Sequence, residues 1–199
     1  MGYSNFKNLR QALERLDIEE IDVNLFPIIK PIKASNWLKK SLENAEMMPL
    51  TNEKSKSERI ISPILMEIAI LFKDNVTLYS GEDLYIDDKK DLSGACDFFL
   101  AKHPRKQVMQ APIITLAEAK DEDLGYGQGQ CAAQMYAAQI FNEQKGKPQP
   151  FIYGCAVTGG DWKFMKLAGK QLFVDNKTYY ISDLPKIIGI FHHIIKLYL

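Results

Sequence analysis

Gly94-Ala95-Cys96-Asp97-Phe98-Phe99-Leu100 and, further on, Ile113-Ile114-Thr115-Leu116-Ala117-Glu118-Ala119-Lys120 are the two stretches that decide how this chain folds. Each is an apolar run of strand length marked by charge at one end. Asp97 opens the first, and Glu118 and Lys120 close the second. Side chains alternate across a strand, so Glu118 and Lys120 fall on one side of theirs. Carboxylates set among buried strands are costly to keep without use.

Working outward, the runs 76–79, 83–86, 95–101 and 113–119 read as strands separated by turn residues. A helix rich in alanine and glutamine follows over 129–142. Further strands are expected at 151–157, 162–167, 171–174 and 178–181, with Gly159-Gly160 as the hairpin turn between the first two. Ser182 or Asp183 then caps a closing helix. Upstream, Ile61, Ile64, Leu65, Ile68 and Phe72 form one apolar helix face. Pro63 is awkward there: either Ser62 caps a new start with Pro63 in the first helical position, or the helix kinks. The polar, lysine-rich segment 51–57 reads as a loop.

The first 50 residues read as a helical lead-in. Phe6, Leu9, Leu13 and Leu16 recur at helical spacing, Pro27 and Pro31 break the chain, and Ser35 caps a helix through Trp37, Leu38 and Leu42. The expected organisation is an N-terminal helical extension over 1–50 and one domain over 51–199. Its order is helix, strands, helix, strands, which is mixed α/β with hairpins and lacks regular βαβ alternation.

Composition sets bounds on function. With 46% hydrophobic and 25% charged residues among 199, the chain has material for a real core. Lys and Arg number 25 and so do Asp and Glu, giving zero net charge. Binding nucleic acid through overall charge is therefore excluded; the cations must gather on one face, or a partner must supply them. Cys96, Cys131 and Cys155 lack zinc-ligand spacing and read as reduced, buried thiols of a cytoplasmic protein. The N-terminus lacks the apolar stretch of a signal peptide. The apolar stretch 187–199 is broken by His192, His193 and Lys196 and falls short of the ~20 residues that span a membrane. It packs on the sheet or on a second subunit, another copy or a partner.

Two carboxylates on adjacent strands can hold Mg²⁺, which prefers oxygen ligands and keeps several waters. Such an ion polarises a phosphoryl oxygen and lowers the pKa of a bound water. A lysine two residues beyond the ligand can orient that water and stabilise developing negative charge. The glutamine-bearing helix start, with Gln128, Gln130 and Gln134, follows directly. The glycine run Gly125-Tyr126-Gly127-Gln128-Gly129 is no phosphate-binding motif and reads as a turn beside the site. Asp121-Glu122-Asp123 reads as a solvated loop, Tyr126 and Tyr136 as packing residues, and the three histidines as structural or surface residues.

From residue 57 to about residue 167, these features resemble the PD-(D/E)XK nuclease superfamily, in particular the nuclease domains of restriction-enzyme motor subunits. Asp97 takes the place of that motif's aspartate and Glu118-Ala119-Lys120 that of its E-x-K; Cys96 stands where its proline would be. Glu58 resembles the acid that many members carry in the preceding helix, with Glu67 as the alternative, and Gln130 or Gln134 resembles the glutamine after E-x-K. The resemblance implies a restriction-endonuclease-like αβββαβ core. It also implies a nuclease that uses Mg²⁺ or Mn²⁺, held by Asp97, Glu118 and Glu58, with Lys120 orienting water and nucleic acid, DNA foremost, as substrate. The competing expectation is a catalytically silent member serving as a structural or protein-binding module, for which the balanced charge speaks.

Overall fold

The computed structural model describes residues 2–199, and its centre is an eight-stranded mixed sheet. The strands are β1 (Glu19–Val23), β2 (Thr77–Asp83), β3 (Ala95–Ala101), β4 (Ile113–Ala119), β5 (Ile152–Val157), β6 (Asp161–Ala168), β7 (Gln171–Asp175) and β8 (Tyr179–Tyr180). Their order is β1-β7-β6-β5-β4-β3-β2, with β8 added to β6. β4 pairs β5 in parallel, as β1 does β7; the remaining pairs are antiparallel. The helices are α1 (Leu9–Leu16), α2 (Asn36–Glu46), α3 (Glu53–Lys56), α4 (Ser62–Leu71), α5 (Leu124–Gln144) and α6 (Leu184–Lys196).

Every residue of β4 and of β5 is buried, as central strands covered on both faces require. One face carries α2, α4 and α6, through Leu38, Ile64, Ile68, Ile187 and Phe191. The other carries α1 and α5, through Leu16, Cys131, Met135 and Phe141. The apolar C-terminal helix therefore rests on its own sheet, and Tyr198 beyond it donates its hydroxyl to the carbonyls of Ile114 and Phe151. Among the described residues no helix is long and apolar enough to cross a membrane.

Several local expectations are corrected. Residues 1–50 contribute more than helices: Glu19–Val23 forms β1, and α1 packs against α5, so this stretch is built into the sheet and its flank. The segment 51–57 is helical from Glu53, started by an Asn52/Ser55 capping box. The runs 76–79 and 83–86 are one strand and an irregular tail, because β2 ends at Asp83 and Leu84 and Ile86 bond loop carbonyls of Gly94 and Leu92. Pro63 does not break the helix, and Ser62 does not cap it. A π turn over Ser57–Ile61 runs straight into α4, with the Ser62 N–H on the Ser57 carbonyl, and Pro63 follows directly, where the π turn has already shifted the hydrogen-bond ladder. Ser35 does cap α2, accepting from the Leu38 N–H, whereas Asp183 stands before α6 without a side-chain cap.

The glycine run is not a loop. Asp123 accepts from the Tyr126 N–H to cap α5, whose first turns contain Gly125, Gly127 and Gly129. Two of these glycines are spacers. A Cβ on Gly129 would stand 2.5 Å from the Asn8 carbonyl oxygen, and one on Gly127 3.1 Å from the Lys120 side chain. α5 must approach α1 and the end of β4 this closely, and only glycine permits it.

Candidate active site

Asp97 is the third residue of β3, opposite Gly81 of β2, between the pairs Ser80↔Phe98 and Glu82↔Cys96. Asp97 turns toward β4, where its Oδ2 accepts from the Ala119 N–H at 2.8 Å. Glu118 lies on β4. Lys120 is one residue beyond that strand but keeps its line, because its N–H donates to the Val157 carbonyl of β5. Alternation then sets Glu118 and Lys120 side by side, Nζ to Oε1 at 2.8 Å.

Two of the three are buried, Glu118 at 4% exposed and Lys120 at 8%, and Asp97 is half-buried. The ammonium also donates to the Ala119 carbonyl at 2.6 Å and lies 3.6 Å from Glu53 Oε2. Gln134 of α5 donates Nε2 to Glu118 Oε2 at 2.7 Å, so both oxygens of that carboxylate are engaged. Gln130 is buried one turn earlier, and the side-chain oxygens of Gln130 and Gln134 have no hydrogen-bond donor.

Two carboxylates share one lysine in a low-dielectric place. Burial first, and then the charge of Asp97, push the Glu118 carboxyl up to about 8. Asp97 is raised as well, by burial, against the opposing pull of Lys120. For Lys120, burial alone would lower the pKa, but Glu118, Asp97 and Glu53 together outweigh it and hold the ammonium above its ordinary range. Surplus negative charge of this kind is relieved by a proton or by a cation.

Asp97 borders two openings. A cavity of about 280 Å³ is lined by Tyr3, Ser93, Glu118, Lys120, Gln130 and Gln134. A groove of about 380 Å³, equally open to solvent, lies toward the start of α4, between Glu53, Glu58 and Ser62 and the strand residues Ser80 and Asp97.

Of the residues expected at the site, the structure brings Asp97, Glu118, Lys120, Gln130 and Gln134 together. Glu58 is not in that cavity: it is exposed, lines the groove that Asp97 also borders, and among the described residues its only ion pair is with Lys54 at 3.9 Å. The alternative, Glu67, is structural: it is buried and accepts from the N–H and hydroxyl of Ser35, holding the start of α2. The helix acid that reaches Lys120 is Glu53, which the reading of 51–57 as a loop concealed. Its signal was the Asn52-to-Ser55 capping pattern, which marks a helix start. Tyr126 puts its ring 5.6 Å from Lys120 Nζ. Asp121 pairs with Lys56 at 2.7 Å and Asp123 caps α5, so the acidic run serves local structure.

Among the described residues no three His, Cys, Asp or Glu side chains form a ready-made metal cage. The groups able to hold a cation are the Asp97 and Glu118 carboxylates with the unpartnered amide oxygens of Gln130 and Gln134 beside them. This all-oxygen donor set fits a hard divalent ion that keeps several of its own waters. No protein-family model matches the chain, and no curated protein is similar to it in sequence.

Proposed function

We propose that this protein is a metal-dependent phosphodiester hydrolase of the PD-(D/E)XK type, acting on nucleic acid with DNA as the foremost substrate. The observation that carries the reading is the cluster of buried Glu118 and Lys120 with half-buried Asp97 at neighbouring strand ends, with more carboxylate than its lysine neutralises. Supporting it, α4, the meander β2-β3-β4, α5 and the parallel strand β5 follow the helix–meander–helix–strand order that the superfamily resemblance implies.

Asp97 and Glu118 would hold Mg²⁺ or Mn²⁺, which supplies Lewis acidity and a bound water of lowered pKa. The protein's own groups do the positioning. Gln134 fixes the Glu118 carboxylate from the far side, and the Ala119 N–H fixes Asp97. Lys120, charged over the whole physiological range, presents an ammonium next to the reacting centre, where it orients the attacking oxygen and stabilises negative charge on the phosphoryl group. Burial by α5 and the Tyr3 segment limits bulk water, so these charges act at low dielectric. Glu53 and Tyr126 hold the lysine near this position from either side.

Mn²⁺ titration followed by its electron paramagnetic resonance signal tests this directly. Wild type should bind, and Asp97→Ala and Glu118→Ala should each abolish binding and, with it, Mg²⁺-dependent cleavage of a labelled oligonucleotide. Absence of Mn²⁺ binding in the wild type, or binding indifferent to both substitutions, would remove the proposal and leave a nuclease-like fold used as a module.

A further inference from the structure

We propose that the substrate strand runs from the active site along the cleft between α4 and the edge strand β2, as a single nucleic-acid strand whose phosphates rest on Lys73, Arg105 and Lys106. This rests on the nuclease reading above and adds the path, the strandedness and the anchoring residues.

β2 ends the sheet, so one side of it has no neighbouring strand and the cleft beside it is open along its length. The cleft is about 510 Å³, and Arg105 and Lys106 line it together with Met66 and Ile70 of α4. It continues into the groove that contains Asp97, since Ser80 lines both. The wall is continuous too. Ser62 borders the groove at Asp97, and Met66 and Ile70 border the cleft, at helical spacings of four that put them on one face of α4, with Lys73 in the turn just past its end.

The charge fits a polyanion. Lys73, Arg105 and Lys106 line the cleft with a single acid, Glu82, in a chain whose charges cancel overall. This is the concentration of cations on one side that a neutral nucleic-acid enzyme needs. Met66 and Ile70 are 42% and 55% exposed on the same wall, apolar surface against which base faces can lie. Bases that lie on this apolar surface are unpaired, which favours a single strand over a duplex.

The test is fluorescence anisotropy with labelled oligothymidylate and, as a second arm, oligouridylate, in chelator so that nothing is cut. Each single-strand phosphate contact contributes ~0.7 to the slope of log affinity against log salt, so three contacts weaken binding about twentyfold between ~50 and ~200 mM salt. The variant Lys73→Gln/Arg105→Gln/Lys106→Gln, altered only at exposed positions, should lose that part of the slope while keeping the wild-type melting temperature. Its Mg²⁺-dependent hydrolysis of bis(p-nitrophenyl) phosphate, too small to reach the cleft, should stay at the wild-type rate. The arm that binds identifies the sugar. An unchanged slope and affinity in the triple variant would overturn the path. So would tighter binding of a duplex of the same length, or equal competition by a polyglutamate peptide of matched charge. Lack of small-diester hydrolysis in the wild type would instead overturn the nuclease reading, whatever the anisotropy shows.

Discussion

Replacing Glu118 with glutamine should flatten a pH dependence of stability that the metal-free protein otherwise shows. Glu118 is 4% exposed and its carboxyl is raised from an ordinary 4.5 to about 8 by burial and by Asp97. The folded state therefore holds a proton that the unfolded chain has released between these two values. Stability associated with this group is complete below pH ~4.5 and drains away as pH rises to ~8, the opposite of a salt-bridged acid with a depressed pKa. At ~1.4 kcal/mol per pH unit the loss amounts to a few kcal/mol, with ~5 as a ceiling. That is a large share of the ~5–15 kcal/mol by which domains are usually stable. Lys120 does not cancel it, because the stability its raised pKa confers is lost only above its ordinary value of 10.5, outside the window. Urea unfolding in chelator at pH ~5 to ~8, followed through the buried Trp162, measures the effect. Wild type should lose stability steadily across that range, Glu118→Gln should lose much less, keeping only the part that comes from the raised Asp97, and Mg²⁺ should restore the wild type most at the alkaline end. A wild type equally stable at both ends, or a glutamine variant that declines in parallel, would refute the electrostatic account of the site.

Lys120→Met should abolish hydrolysis of a labelled oligonucleotide while sparing Mn²⁺ binding in the resonance titration; loss of both would make the lysine a structural partner of Glu118 only. Glu67→Ala should lower stability by ~1–3 kcal/mol through the loss of two bonds to Ser35, with Mn²⁺ affinity unchanged; weakened metal binding would return Glu67 to the site. Gly129→Ala should destabilise by ~1–3 kcal/mol in thermal melts, because the new methyl meets the Asn8 backbone, even though alanine favours helix at exposed positions. Glu53→Gln should reduce cleavage while Glu58→Gln leaves it near wild type, and the reverse order would restore Glu58 as the helix acid.

The strands that carry the site were legible in the sequence because their signals are local. The runs 95–101 and 113–119 coincide with β3 and β4, since a fully buried strand is a short apolar run with abrupt ends. Alternation along β4 was enough to place Glu118 beside Lys120, and the mixed α/β class followed from the order of elements. The acidic pair and the glutamines were recognisable by residue type alone. What the sequence left open depends on distance between segments far apart in the chain. β1 is a strand because its partner is β7, about 150 residues away, and its own polar sequence Glu-Glu-Ile-Asp-Val carries little strand signal. Gly127 and Gly129 resemble loop residues until α1 and Lys120 are known to press against them. Glu58 and Glu67 are equivalent as letters. One points to open solvent and the other is held by Ser35, while Glu53, from a stretch that reads as a loop, reaches the lysine. Periodicity fixes which side of an element a residue takes, but which acid meets Lys120 is decided by the packing of the α3–α4 segment on the sheet, and only the tertiary structure sets that.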